Sequence, residues 1–147
     1  MKKTHLSVSL AAGSLVLVAL TGCSVMDGLQ NEASGEFEST AELAEQWDQV
    51  AAWVPADATE IRTRYSTSSD AAILRAITAS ALDPALCAEI DRLSGPVFEQ
   101  DWSGDAFVDN AWVCNDWTVV ATDDGWYGWT PNDPDEQVQT PSALSAP

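Results

Sequence analysis

An apolar run from Leu6 to Leu20 divides this 147-residue chain and decides which residues remain to fold. Lys2 and Lys3 precede it, Ser7, Ser9, Gly13 and Ser14 interrupt it, and Thr21-Gly22-Cys23 follows. A positive start, a short apolar stretch and small residues before a break form the layout of a secretory signal. The run falls short of the roughly 20 apolar residues a spanning helix takes. The pattern therefore predicts export with removal of residues 1–22 rather than a transmembrane helix.

Leu20-Thr21-Gly22-Cys23 resembles the lipobox of bacterial lipoproteins. The resemblance implies that the Cys23 thiol takes a diacylglycerol. It also implies that small Thr21 and Gly22 let a membrane-embedded peptidase reach the bond before Cys23. Burial of acyl carbon contributes about 0.8 kcal/mol per methylene, so one chain binds marginally and two hold stably. The expected location is the extracytoplasmic face of the cell membrane, with the bilayer bound through diacylglyceryl Cys23. With Cys23 carrying lipid, Cys87 and Cys114 remain as a pair in an oxidising compartment, which predicts a disulfide.

Without the leader the inventory changes. Both lysines and His5, the one histidine, lie in residues 1–22. Arg62, Arg64, Arg75 and Arg92 then face all 23 acidic residues, a formal charge of −19. Such a surface repels phosphate backbones, so nucleic acid is not an expected partner. Without histidine or lysine, Ser-His-Asp and Cys-His devices, Schiff-base chemistry and histidine-ligated zinc are excluded. Carboxylates, hydroxyls and arginine are what chemistry remains, and no cofactor is expected.

Residues 23–39 read as a lipidated acidic tether, too polar to order themselves. A globular domain is expected over 40–131. Ser39 and Glu42 have capping-box spacing, and Leu43, Trp47 and Val50 recur at helical intervals, predicting a helix that ends before Pro55. Glu60–Tyr65 alternates as a half-buried strand. Residues 71–79 fit a second strand or an alanine-rich helix, with the strand preferred. Asp83-Pro84 has the chemistry of a helix start, predicting a second helix through Leu86 and Ile90. Residues 99–110 read as an acidic loop. Strands are expected at Ala111–Cys114, Trp117–Ala121 and Gly125–Trp129, joined by turns at Asn115-Asp116 and Asp123-Asp124-Gly125. Residues 132–147 read as a disordered tail. The expected fold class is α+β: one small domain, two helices on one face of an antiparallel sheet, one disulfide.

The segments Trp53-Val-Pro-Ala-Asp-Ala-Thr-Glu-Ile61, Leu82-Asp-Pro-Ala-Leu-Cys87 and Asp124-Gly-Trp-Tyr-Gly-Trp-Thr-Pro131 resemble small uncharacterised lipoproteins and secreted proteins of high-GC Gram-positive bacteria. The resemblance spans residues 45–131. It implies an envelope location and a shared fold, favours strand for 71–79, and brings no activity with it.

Trp112, Trp117, Trp126, Tyr127 and Trp129 fall on adjacent expected strands and form the candidate contact surface. Residues 126 and 129 cannot share a face of a regular strand, so one aromatic set points away from the core unless a bulge at Gly128 re-aims it. Core packing is the simpler use of these rings; a partner surface or a glycan platform are the alternatives. The acidic pairs Asp101 with Asp105 and Asp123 with Asp124, and the group Asp133, Asp135 and Glu136, offer oxygens for calcium. None follows the EF-hand pattern, and no metal site is expected. Arg62, Arg64 and Arg75 either pair with carboxylates or mark a docking point for an anion. The expectation is a non-catalytic domain that contacts an envelope protein. A glycan- or divalent-cation-binding module is the alternative, and a carboxylate-based hydrolase the third reading.

Overall fold

The computed structural model describes residues 31–144; the signal, the lipobox residues Leu20, Thr21 and Gly22, and Cys23 lie outside them. Within that span the chain builds one antiparallel sheet of seven strands. These are β1 (Glu32–Phe37), β2 (Thr59–Ser66), β3 (Ala72–Ile77), β4 (Ala88–Asp91), β5 (Asn110–Cys114), β6 (Trp117–Thr122) and β7 (Gly125–Thr130). Three short helices accompany them: α1 (Thr40–Gln46), α2 (Pro134–Gln137) and α3 (Pro141–Leu144). The strand order is β1-β2-β3-β7-β6-β5-β4. Two meanders, β1-β2-β3 and β4-β5-β6-β7, thus join where β3 pairs with β7. The α+β class, the single antiparallel sheet and the Cys87–Cys114 disulfide are as expected. Within residues 71–79, Ala72–Ile77 form strand, and the three C-terminal strands and their turns fall where alternation placed them. Asn115 takes the positive φ of 56° that a two-residue hairpin turn demands.

Four expectations need correction. Residues 32–37, assigned to the tether, are an edge strand, paired with β2 from Glu32↔Ser66 to Phe37↔Ile61. Phe37 buries against the core, and Glu32 bonds Arg64 across the pair at 2.7 Å. The second helix does not form. Asp83 caps a single turn, its Oδ1 accepting from Ala85 N, and residues 88–91 pair with β5 as β4. The disulfide explains this: Cys87 must reach Cys114 on the sheet, at a Cα separation of 4.3 Å, which leaves no length for a helix.

The tail is ordered through Leu144. Asp133 caps α2, and Glu136, three residues on, turns back to accept from Asp133 N. Asn132 Nδ2 and Ser142 Oγ both bond Asn115, docking the tail on the β5–β6 turn. Finally, α1 stops at Gln46 and does not continue to Val50, because Trp47 turns extended to enter the core. Ser39 caps it as expected, its hydroxyl accepting from Glu42 N.

The sheet is covered on both faces. On the first, Leu43 and Trp47, the segment around Trp53 and Val54, and Leu82 with Cys87 pack over Ile61, Leu74, Trp117 and Val119. On the second, Phe98, Trp102, Ala106 and Val108 from the β4–β5 connection pack over Ile73, Val120, Tyr127 and Trp129. Among the described residues no helix is long and apolar enough to cross a membrane.

Candidate functional site

Alternation along β7 separates the aromatic residues. Trp126 belongs to the first face, Tyr127 and Trp129 to the second. The register through Gly128 is regular against both Leu74 and Val119, so no bulge re-aims the strand. Gly128 serves another purpose. A Cβ there would meet the Trp53 indole at 2.7 Å, so the missing side chain lets the Trp53 ring approach the strand closely.

The five aromatics therefore do not form one exposed surface, which corrects the expectation. Trp117, Tyr127 and Trp129 are buried because connections cover both faces. Trp117 donates to Val50 O, and Trp129 to Ser94 Oγ, both at 2.9 Å. Trp112 and Trp126 are half-buried and pack edge to face, 5.2 Å between centroids. Trp126 borders an open groove of about 780 Å³ with Asp57, Thr78, Ser80 and Asp124.

The arginines pair with carboxylates. Arg64 bonds Glu32 at 2.7 Å, Arg62 lies 3.6 Å from Glu36, and Arg75 grips both oxygens of Asp124 at 2.8 Å. The Arg75 guanidinium holds Asp124 below the usual carboxylate range, against a small opposing effect of burial. Hydroxyls of Thr78 and Ser80 likewise lower Asp57. Among the described residues no three histidine, cysteine or carboxylate side chains converge as metal ligands.

One carboxylate stands apart. Glu136 is fully buried without an ion-pair partner among the described residues, and five groups satisfy it. Leu93 N and Ser94 N donate to Oε1 at 2.7 and 3.0 Å. Ser94 Oγ, Thr118 Oγ1 and Asp133 N donate to Oε2 at 2.6, 2.7 and 3.0 Å. Burial pushes its pKa up, but the two hydroxyls and the backbone donors outweigh it, and the net direction is down. This network ties the tail to β6 and to the start of the β4–β5 connection.

That connection, residues 92–109, carries three of the five exposed large apolar side chains among the described residues; the others, Val50 and Val138, stand singly elsewhere. The base of the connection is fixed by Arg92, whose Nε donates to Val108 O at 2.7 Å and whose backbone N donates to Asp109 O at 2.8 Å. While Phe98, Trp102 and Ala106 pack inward, Leu93, Val97 and Phe107 face solvent, 56%, 65% and 92% exposed. Val97, Phe98 and Phe107 wall a cleft of about 550 Å³ with Glu99 and Asp105 at its margin and Tyr127 in its lining. Tyr127 is fully buried, and among the described residues its hydroxyl has no hydrogen-bond partner. Burial raises its pKa and the Glu99 charge adds to this; the nearby Ser103 hydroxyl opposes them without reaching bonding geometry.

Sequence reasoning placed Phe107 in an acidic loop and passed over Leu93 and Val97. Single apolar residues between Gly, Pro and acidic neighbours carry no periodicity, and that irregularity was the available signal. The chain matches no protein-family model, and comparisons with curated proteins and with solved structures return no match.

Proposed function

We propose that this chain is an exported lipoprotein anchored by diacylglyceryl Cys23, whose folded domain is a non-catalytic contact module for another envelope protein. The observation that carries the contact reading is the outward set Leu93, Val97 and Phe107 on one connection whose base is pinned to the sheet. A residue as apolar as Phe107 held 92% exposed is the kind of side chain that buries on association. This moves the contact surface from the strand tryptophans to the β4–β5 connection.

The anchor reading rests on the lipobox, and the position of β1 adds a length. Residues 24–31 separate Cys23 from β1, a reach of at most about 28 Å when fully extended. The end of the sheet holding the Ser66–Ala71 and Asn115–Asp116 turns would then face the bilayer. Both ends are acidic, with Asp57, Asp91, Asp109, Asp123 and Asp124 at the far end and Asp70 and Asp116 in the turns at the near one.

Photo-crosslinking in the native cell tests the contact reading. A photoreactive residue at Phe107 is expected to give one reproducible envelope-protein adduct, and the same residue at Ser68 none. Equal labelling from both positions would sink it. Cys23→Ala tests the anchor: the variant is expected to leave the membrane fraction for the soluble one. Undiminished membrane retention would overturn lipidation at Cys23.

One observation favours a second reading, glycan binding in the open groove that half-buried Trp126 lines together with Thr78 and Ser80. Hydrolysis has weaker support. Asp57, Asp124 and Glu136 all shift downward, so none of the three is held as the protonated acid that glycosidic cleavage needs.

A further inference from the structure

We infer that residues 131–144 act as a detachable strap, whose docking through Glu136 holds the start of the β4–β5 connection in order. The coupling stands on the polar contacts of the strap and does not require a partner. Its consequence for association rests on the contact reading above, since Leu93, one of the exposed apolar residues, is among those the strap holds.

The strap docks through polar groups. Among its described residues the buried side chains are Asn132, Glu136 and Thr140, all polar and spaced four apart, while Val138 faces solvent. Both α2 and α3 are four residues long, too short to hold themselves, and the segment adds no strand to the sheet. Asn132 Nδ2 donates to Asn115 O at 2.9 Å, and Ser142 Oγ donates to Asn115 Oδ1 at 3.2 Å. Each such bond replaces one to water and contributes modestly, whereas the sheet is held by apolar burial on both faces. Asn132 Oδ1, buried without a hydrogen-bond partner among the described residues, opposes docking. A segment held in this way opens at a lower free energy than the core.

What the strap holds follows from the donors to Glu136. One carboxylate oxygen takes the consecutive backbone N–H groups of Leu93 and Ser94, and the other takes the hydroxyls of Ser94 and Thr118. Thr118 belongs to β6, so the carboxylate clamps the connection to the sheet. Arg92 secures the base of the connection from its other side, through Val108 O and Asp109 O. When Glu136 withdraws, the N–H groups of Leu93 and Ser94 lose this acceptor and the backbone leading to Val97 is released. Reciprocity follows: whatever orders the connection also favours docking of the strap.

Native-state hydrogen exchange on the full chain in zwitterionic nanodiscs, at urea concentrations below unfolding, tests this. The amides of Val138, Gln139 and Thr140 are expected to share one opening isotherm with those of Leu93 and Ser94. That opening should lie at lower free energy, with a shallower urea dependence, than the opening of Ile73 and Tyr127. Asn132→Asp turns a carboxylate toward Asn115 O and alters no group of the connection. It is expected to speed exchange at Leu93 and Ser94 at least about tenfold, by the same factor as at Val138. Native rates at Leu93 and Ser94 in this variant, with the strap exchanging faster, would overturn the inference. An isotherm for Leu93 and Ser94 that merges with that of Ile73 in the native chain would overturn it too. Absence of any adduct from position 107 in cells would remove the contact reading and leave the shared isotherm as it is.

Discussion

Replacing Glu136 with glutamine is expected to destabilise the domain by about 3 kcal/mol and lower its melting temperature by about 10 °C. The carboxylate is fully buried and accepts five hydrogen bonds, two from hydroxyls and three from backbone N–H groups. Glutamine keeps one acceptor oxygen and turns an NH₂ group toward donors, leaving buried N–H groups unpaired. Charge-assisted bonds are also the stronger kind, so the loss exceeds that of a neutral pair. The pH dependence follows from the downward shift. A carboxylate whose folded pKa lies below its unfolded one, here an ordinary 4.5, stabilises fully above that value. The contribution disappears as pH falls through the lowered folded pKa. Thermal melts at pH 7 and through the acid range should therefore show the native and Glu136→Gln curves converging in acid. A variant that melts with the native protein at pH 7, or a gap that widens in acid, would refute the assignment.

Glu136 also shows what reading for composition conceals. Residues 132–147 look like a polar, proline-bearing tail, yet Asp133-Pro134-Asp135-Glu136 has an N-cap, a proline at the first helical position and an acid at the third. The local signature was present; the pocket that accepts Glu136 is assembled from Leu93, Ser94 and Thr118 and has no mark in the sequence. β1 failed for a related reason. Glu-Ala-Ser-Gly-Glu-Phe has poor strand propensity, and it becomes a strand because β2 offers an open edge, with Arg62 opposite Glu36 and Arg64 reaching diagonally to Glu32. Where burial imposes a clear period the reading succeeded, as with Ile61 and Thr63 or with the alternation of Trp126 and Tyr127. That alternation correctly divided the aromatics between two faces. It could not reveal that loops would cover both, and so it misplaced the contact surface. The exposed set on residues 93–107 depends on how a long connection folds over the sheet, a tertiary matter with no local code.

Replacing both Cys87 and Cys114 with alanine is expected to cost about 3.5 kcal/mol in the chain-entropy account, for a bridge spanning 27 residues. The effect should be uneven across the sheet. β4 is an edge strand of four residues, paired only with β5, and the bridge pins the residue just before it. β2, β3 and β7 lie between neighbours on both sides. Without the bridge, β4 and the 78–87 crossover should open first, speeding hydrogen exchange at Ala88–Asp91 well before that at Ile73 or Tyr127. The consequence reaches the contact surface, because the connection bearing Leu93, Val97 and Phe107 starts where β4 ends and closes through Arg92 N to Asp109 O. Crosslinking from position 107 should therefore fall in the double alanine variant at temperatures where the central strands still protect their amides. Uniform acceleration of exchange across all seven strands would mean that the bridge supports the whole domain, and that the contact surface has no local dependence on it. Acceleration confined to β4 and the crossover, with crosslinking from position 107 lost alongside, would show the disulfide acting as the clamp that holds the contact connection in place.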